Sequence, residues 1–69
     1  MLTIREHEVL DFIKEFKKVN GYSPTVKEIA NGVNTKSTTH IRDILADLKT
    51  QGYITYKEHK ARTIVVLKF

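Results

Sequence analysis

The spacing of the apolar residues changes once along this chain, at Gly52, and this change limits which elements the chain can form. Before Gly52, apolar side chains recur every three or four residues, which is the period of an amphipathic helix. After Gly52 the pattern changes to period two in residues 53–56 and to a β-branched run in residues 63–67, and both are typical of strands. The sequence therefore predicts an α+β architecture with helices first and a β-ribbon last.

The first helix is predicted over residues 3–20. Thr3 and Glu6 form a capping-box pattern, in which a hydroxyl and a carboxylate satisfy two free backbone N–H groups. Asn20 and Gly21 end the helix, because both residues tolerate a left-handed conformation. The predicted apolar stripe consists of Val9, Phe12, Ile13, Phe16 and Val19.

Two shorter helices are predicted next, over residues 25–32 and 37–51. Thr25 and Glu28 repeat the capping box, and Ser37 stands before the next apolar stripe. Gly32 and Asn34 are expected to let the chain turn between the two helices. Their predicted inner faces consist of Val26, Ile29, Ala30 and Val33 in the second helix and Ile41, Ile44, Leu45 and Leu48 in the third.

The ribbon is predicted over residues 53–68, as strands 53–56 and 63–67 joined by the polar segment 57–61. Two helices joined by a short turn, with a two-stranded ribbon after the second, are typical of a winged helix-turn-helix. We expect one domain, 1–69, because two cores would leave each half below the ~40 residues that an uncrosslinked chain needs to fold. We call residues 53–68 the wing.

Composition excludes several other classes of protein. The chain has no Cys, so disulfides and thiolate metal sites are excluded, and His7, His40 and His59 are too widely spaced to favour a metal site. The longest apolar run has four residues, 64–67, and no signal sequence follows Met1, so we expect a cytoplasmic protein. No nucleophile elbow or Gly-rich phosphate loop is present, so we predict that the chain is not an enzyme and has no cofactor.

The charge distribution favours a polyanionic partner. The formal net charge is +4, and six basic residues against three acidic ones lie between Thr35 and Arg62. The outward face of the third helix carries short and mostly polar side chains, such as Thr39, Ala46 and Thr50. Short side chains permit the helix to approach a ligand closely. An ordinary solvated surface is the alternative interpretation.

These features predict a DNA-binding surface made by the third helix and the wing. Arg42 is the strongest candidate for a base contact, because its planar fork can pair with guanine O6 and N7. Asp43 either accepts from cytosine N4, orients Arg42 or is simply exposed, and Ser37 is also expected to cap the helix. Lysines on the wing either contact phosphates or prevent edge-to-edge pairing. The predicted DNA-binding residues are Lys36, Ser37, Thr38, Thr39, His40, Arg42, Asp43, Lys57, Lys60 and Arg62, with His59 between the wing cations.

A family resemblance supports this interpretation. The segment 21–30 matches the pattern G-x-x-P-T-x-x-E-I-A, and further matching residues are Leu2, Thr3, 8–13, Ile41, Leu45, Leu48, Gly52 and Ile54. The chain thereby resembles the N-terminal DNA-binding domain of the LexA repressor family, without a gap from residue 2 to about residue 67. The resemblance implies a winged helix-turn-helix that binds palindromic operator DNA as a dimer and represses transcription.

The chain also departs from that family's pattern. Asn34 and Thr35 stand where the family usually has a Gly and a large apolar residue, although Asn can still adopt a left-handed turn. The family's self-cleaving peptidase half, which uses a Ser and a Lys, has no counterpart in these residues, so we expect an excised domain or a free-standing regulator. Val65, Leu67 and Phe69, or the residues that alternate with them, cannot all face inward on a two-stranded ribbon. This surplus of apolar side chains leaves open a second function, in which the exposed face of the ribbon docks a protein partner.

Overall fold

The computed structural model describes residues 2–58 and 60–68 and contains three helices followed by an antiparallel hairpin. The helices pack on one another, and the hairpin lies against the third and the first helix. This arrangement confirms the predicted three-helix fold with a C-terminal wing. The elements are α1 (Ile4–Asn20), α2 (Val26–Gly32), α3 (Thr38–Thr50), β1 (Ile54–Thr55) and β2 (Val65–Val66).

Side-chain caps start all three helices. The Thr3 hydroxyl accepts the Glu6 N–H at 3.1 Å, and the Glu6 carboxylate accepts the Thr3 N–H at 3.0 Å. Thr25 and Glu28 form the same reciprocal pair at 3.1 and 2.8 Å, so both capping boxes occur where the sequence predicts them. Ser37 caps α3, its hydroxyl accepting the His40 N–H at 3.1 Å.

The turns between the helices depend on two left-handed residues. Gly21 follows α1 with a φ of 81°, and its N–H donates to the Lys17 carbonyl at 2.8 Å. Asn34 follows α2 with a φ of 59°, the left-handed turn that the sequence predicts. Gly32 was predicted to let the chain turn between the helices, and this is wrong because Gly32 lies in the last turn of α2. A Cβ at this position would overlap the Phe12 ring.

The core is formed by the inner faces of the three helices together with one residue from each side of the wing. The stripe predicted for α1 needs correction at two positions: Val19 is 78% exposed, whereas Leu10 is 1% exposed. Because α1 packs against both α2 and α3, its buried face is wider than a single stripe and includes Leu10. The buried apolar residues include Val9, Leu10, Ile13, Ile29, Ala30, Val33, Ile41, Ile44, Leu45, Leu48, Ile54 and Ile64.

The wing has shorter strands than the alternating pattern predicts. Ile54 pairs with Val66 and Thr55 with Val65, so each strand has two residues. Beyond them a side chain replaces the backbone ladder, since the Thr63 hydroxyl accepts the Lys57 N–H at 2.9 Å. Two residues named in the sequence analysis, His59 of the wing and Phe69 just after it, lie outside the described residues.

Candidate nucleic-acid interface

An open groove of about 580 Å³ lies between the start of α2, the outer face of α3 and the tip of the wing. Its described lining has five basic side chains and one acidic side chain, Glu58. A cleft lined by one sign of charge concentrates the opposite charge, so this groove suits a polyanion. The five basic residues are Lys27, Arg42, Lys57, Lys60 and Arg62.

The groove brings together four of the ten residues predicted to bind DNA, although one of them lies on α3 and three lie on the wing. Arg42 contributes from α3, and Lys57, Lys60 and Arg62 contribute from the wing. The side chains of Arg42, Lys57 and Lys60 are exposed and have no hydrogen-bond or ion-pair partner among the described residues. These three cations are therefore available to a ligand.

The other six predicted residues lie on the first two turns of α3 or just before it, and all six are exposed. Ser37 has the capping role that the sequence allowed, and its own N–H donates to the Thr35 hydroxyl at 3.3 Å. Asp43 has no ion-pair partner among the described residues. Helix starts favour anions, because their first N–H groups point outward.

The outer face of α3 carries short side chains opposite the buried ones. Thr39 and Ala46 are exposed, whereas Ile41 and Leu48 are fully buried on the other side. The helix axis can therefore approach a flat or grooved surface closely. This agrees with the outward face that the sequence analysis assigned to the third helix.

Arg62 differs from the other wing cations, because its guanidinium is already held within the chain. Nη1 and Nη2 donate to the two carboxylate oxygens of Glu28 at 2.9 and 3.2 Å, and Nη1 also donates to the Ser23 carbonyl at 3.1 Å. The guanidinium carbon lies 4.6 Å from the centre of the Tyr22 ring. The structure thus gives Arg62 intramolecular partners where the sequence analysis expected a phosphate.

Glu28 is fixed on both sides. The Thr25 N–H and then the Arg62 guanidinium hold the pKa of the Glu28 carboxyl below its usual range. Glu28 is therefore ionised at neutral pH, and the ion pair with Arg62 persists under those conditions.

Two lysines near the groove, Lys27 and Lys49, were not among the predicted DNA-binding residues. Lys27 lines the groove from the first turn of α2, and the available signal was its position two residues after the Thr25 cap. Lys49 lies 4.5 Å from the centre of the Tyr56 ring and donates to the Tyr56 carbonyl at 3.2 Å, which ties the end of α3 to the wing. Burial, with a smaller effect of Glu58, raises the pKa of Tyr56.

Other classes of site have little structural support in the described residues. These residues include no group of three or more His, Asp or Glu side chains placed to hold a metal ion. None of their helices has both the length and the apolar character that crossing a bilayer requires.

Comparisons with known proteins identify the family. A family model for the LexA DNA binding domain matches residues 1–63. The chain is 39% identical over 66 residues to a LexA repressor of Geobacillus sp. strain WCH70 and 34% identical over 67 residues to one of Myxococcus xanthus strain DK1622. These alignments cover 96% and 97% of this chain but 32% and 30% of the relatives, so the chain spans about a third of their length.

The matched region contains all three helices and most of the wing. It therefore includes both sides of the basic groove. The resemblance noted from the sequence is confirmed, and the chain belongs to the LexA DNA-binding domain family.

Proposed function

We propose that this chain binds double-stranded DNA in a sequence-specific manner and represses transcription. The observation that carries the proposal is the basic groove between α3 and the wing, in a fold whose family is defined by DNA binding. In this arrangement α3 enters the major groove, and the wing follows the neighbouring sugar-phosphate backbone or minor groove.

The outer face of α3 reads the bases. Its exposed short side chains allow the helix to sit deep in the major groove, where Arg42 presents a planar fork to a guanine. Asp43, beside it, can accept from cytosine N4. Lys36, Ser37, Thr38, Thr39 and His40 surround the helix start, where hydroxyls, backbone N–H groups and a cation contact phosphates and adjacent bases.

The wing holds the DNA backbone. Lys57 and Lys60 line the same groove as Lys27 and Arg42, so a phosphodiester strand in the groove would meet cations from α2, α3 and the wing. Such contacts contribute affinity without sequence information, because every nucleotide carries the same phosphate. Arg62, predicted as a further phosphate contact, differs from these lysines because its guanidinium already has intramolecular partners.

The proposed repressor acts as a binding module without catalysis. The relatives are named LexA repressors, and we extend repression to this chain through occupation of an operator. Two copies on a palindrome are expected, since dimeric helix-turn-helix proteins match their own two-fold symmetry to that of the DNA.

The comparisons favour DNA binding over the protein-docking function. Val65 and Leu67 on the wing are 44% and 58% exposed, but Phe69 lies outside the described residues. Salt separates the two functions, because counterion release makes DNA binding fall steeply with salt, whereas apolar docking responds weakly.

The test compares Arg42→Ala with Lys60→Ala on a preferred duplex, selected from random DNA, and on a scrambled duplex. Arg42→Ala should cost roughly 1–3 kcal/mol on the preferred duplex and flatten the preference at one base pair. Lys60→Ala should weaken both duplexes alike and make the slope of log affinity against log salt shallower by about 1. Affinities of both variants are measured at several salt concentrations.

Lys18→Ala is the matched control, since Lys18 is exposed on the last turn of α1 and does not line the basic groove. It should leave base preference and salt slope close to those of the parent. If Arg42→Ala weakens both duplexes equally and leaves base preference intact, α3 is not the reader and the proposed site is wrong.

A further inference from the structure

The contact between Arg62 and Glu28 is unusual for the surface of so small a protein. Both side chains are partly exposed, at 40% and 35%, and exposed ion pairs usually add little stability. Arg62 nevertheless adopts a φ of 59°, a left-handed conformation that is unfavourable for a residue with a long side chain. Backbone strain of this kind commonly occurs where a side chain must be held in a particular place.

The contact is rigid on the side of the helices. The Glu28 carboxylate accepts both the Thr25 N–H of the capping box and the fork of Arg62, and Ser23 and Tyr22 approach the same guanidinium from the turn before α2. A bidentate pair fixes orientation as well as distance, which a single hydrogen bond does not.

The contact is also rigid on the side of the wing. Arg62 directly precedes Thr63, whose hydroxyl accepts the Lys57 N–H at 2.9 Å and donates to the Lys60 carbonyl at 3.1 Å. The backbones of Lys57 and Lys60 are thereby hydrogen-bonded to Thr63, which is the neighbour of Arg62. The Arg62 side chain therefore links this part of the wing to the start of α2.

We propose that Arg62 and Glu28 form a clamp that positions the wing for DNA, so that Arg62 is a positioning residue and not a phosphate contact. The clamp sets how far Lys57 and Lys60 stand from Arg42 across the basic groove, and hence how a backbone strand fits between α3 and the wing. This inference rests on the proposed DNA-binding function. Because Glu28 neutralises Arg62, the clamp contributes geometry to the groove and little net charge.

The competing possibility is that DNA draws Arg62 away from Glu28 onto a phosphate. The two possibilities predict opposite effects of Glu28→Gln. If Glu28 competes with a phosphate for Arg62, removing its charge tightens DNA binding or leaves it unchanged. If the clamp positions the wing, the same change weakens binding, although Gln still serves as the capping-box partner.

The experiment measures the affinity of the whole chain for its preferred duplex at several salt concentrations. The variants are Glu28→Gln, Arg62→Gln, Arg62→Lys and the double variant Glu28→Gln/Arg62→Gln, with Lys60→Ala as the phosphate-contact control. All measurements are made at a temperature at which circular dichroism shows each variant folded. Amide resonances of Lys57 and Lys60 in the free protein report the position of the wing independently of DNA.

The clamp predicts a roughly two- to tenfold loss of affinity for each single variant, the lower part of the range expected for residues of one network. The double variant should bind no more weakly than the weaker single variant, and the salt slope should stay at that of the parent. Arg62→Lys should behave like Arg62→Gln, because lysine keeps the charge but lacks the planar fork. The Lys57 and Lys60 amide resonances should shift in every clamp variant.

Three results would overturn the clamp. One is parental affinity for Arg62→Lys together with a slope shallower by about 1 for Arg62→Gln, which indicates a phosphate contact. Another is unchanged or tighter binding by Glu28→Gln. The third is a lower melting temperature with unchanged affinity, which indicates a purely structural contact.

Failure of the clamp and failure of DNA binding give different results. If Lys60→Ala shows its expected salt response while the clamp variants bind like the parent, only the clamp is wrong. If the parent binds no duplex selectively, both proposals are wrong.

Discussion

Glu6 is a buried carboxylate at the junction of α1 and α3, and its neighbours decide how it titrates. It is 5% exposed, accepts the Thr3 N–H at 3.0 Å and lies 3.4 Å from the Gln51 amide nitrogen. A hydrogen bond with Asp47, and then the Thr3 N–H, lower the pKa of Glu6. The same hydrogen bond, followed by burial, raises the pKa of Asp47. The two pKa values are thereby shifted in opposite directions, so that Glu6 ionises at lower pH and Asp47 at higher pH than usual.

We predict that Glu6 and Asp47 together contribute most to the stability of the fold at pH values between their two shifted pKa values. A raised folded-state pKa gives stability that is lost as pH rises through it. Asp47 therefore destabilises the fold once both carboxyl groups are charged. A lowered folded-state pKa gives stability that is lost as pH falls through it, so the stability that ionised Glu6 contributes is lost in acid. Asp47→Asn keeps a donor for Glu6 but does not titrate, and should raise the melting temperature relative to the parent at neutral pH.

The measurement is melting temperature against pH for the parent, Asp47→Asn and Asp43→Asn. Asp43 is the matched control, an exposed aspartate on the same helix without an ion-pair partner among the described residues. The advantage of Asp47→Asn should shrink as pH falls below the raised pKa of Asp47. A constant difference between the Asp47→Asn and parental profiles at all pH values would show that the two carboxyl groups do not affect each other's titration.

At the residue scale, sequence spacing predicted local partners and missed distant ones. Thr3 and Glu6 were predicted to pair because residues three apart meet at a helix start. Arg62 and Glu28 are 34 residues apart, and Gln51 and Glu6 are 45 apart. Only the packing of the elements brings them together, so Arg62 was expected to be a free cation.

At the element scale, α2 ends against α1 in a contact that leaves no room for a side chain. A Cβ on Gly32 would overlap the Phe12 ring, which also packs on Phe16 at a centroid distance of 5.8 Å. Gly32 thus sets how closely α2 approaches α1. Because α3 follows through the turn at Asn34, this contact also influences the placement of α3.

Gly32→Ala should destabilise the protein by roughly 1–3 kcal/mol, the usual cost of overpacking. Helix propensity alone predicts the opposite sign, since Ala is favoured over Gly by about 1 kcal/mol inside a helix. Adding Phe12→Leu should recover part of the loss, because the smaller side chain leaves room for the methyl group. The free energy of unfolding in denaturant measures both effects.

Asn31→Ala serves as the control, since Asn31 is exposed on the same helix and should change stability by no more than about 0.5 kcal/mol. Two results would contradict the packing argument. One is a Gly32→Ala protein more stable than the parent. The other is strict additivity with Phe12→Leu, because residues in contact are expected to couple.

The wing shows why element lengths were harder to predict than element types. The apolar pattern predicted strands over 53–56 and 63–67, and the structure buries one residue within each range, Ile54 and Ile64. The pattern does not show where backbone pairing stops. That point depends on the Thr63 hydroxyl replacing a backbone acceptor and on the left-handed Arg62, neither of which has a periodic signature.

At the scale of the whole molecule, the charge asymmetry of the sequence corresponds to one surface. Four of the five cations lining the basic groove come from the segment between Thr35 and Arg62 that carries the basic excess. The fold and a basic surface suited to a polyanion were therefore predictable from the sequence. The operator was not, because a fold positions the reading residues without determining which bases they prefer.

The size of the molecule limits how much DNA one copy can read. The described part of the chain measures 28 × 26 × 22 Å, and α3 occupies one position within it. Successive half-sites on one face of DNA lie roughly 34 Å apart, so a single copy reaches one major groove and reads one half-site. Single-copy binding should accordingly be modest, and tight binding should require two copies.

A fused dimerisation module should therefore tighten binding to two inverted half-sites at one preferred spacing, and should do much less on a single half-site. The physical reason is that the second α3 then binds from a high effective concentration, but only where the spacing puts both half-sites on the same face. The measurement compares free and fused protein on one half-site and on inverted pairs whose separation increases by single base pairs. Affinity of the fused protein should peak at one separation and recur a helical turn later. Equal affinity at every separation would show that the two copies do not bind as a symmetric pair.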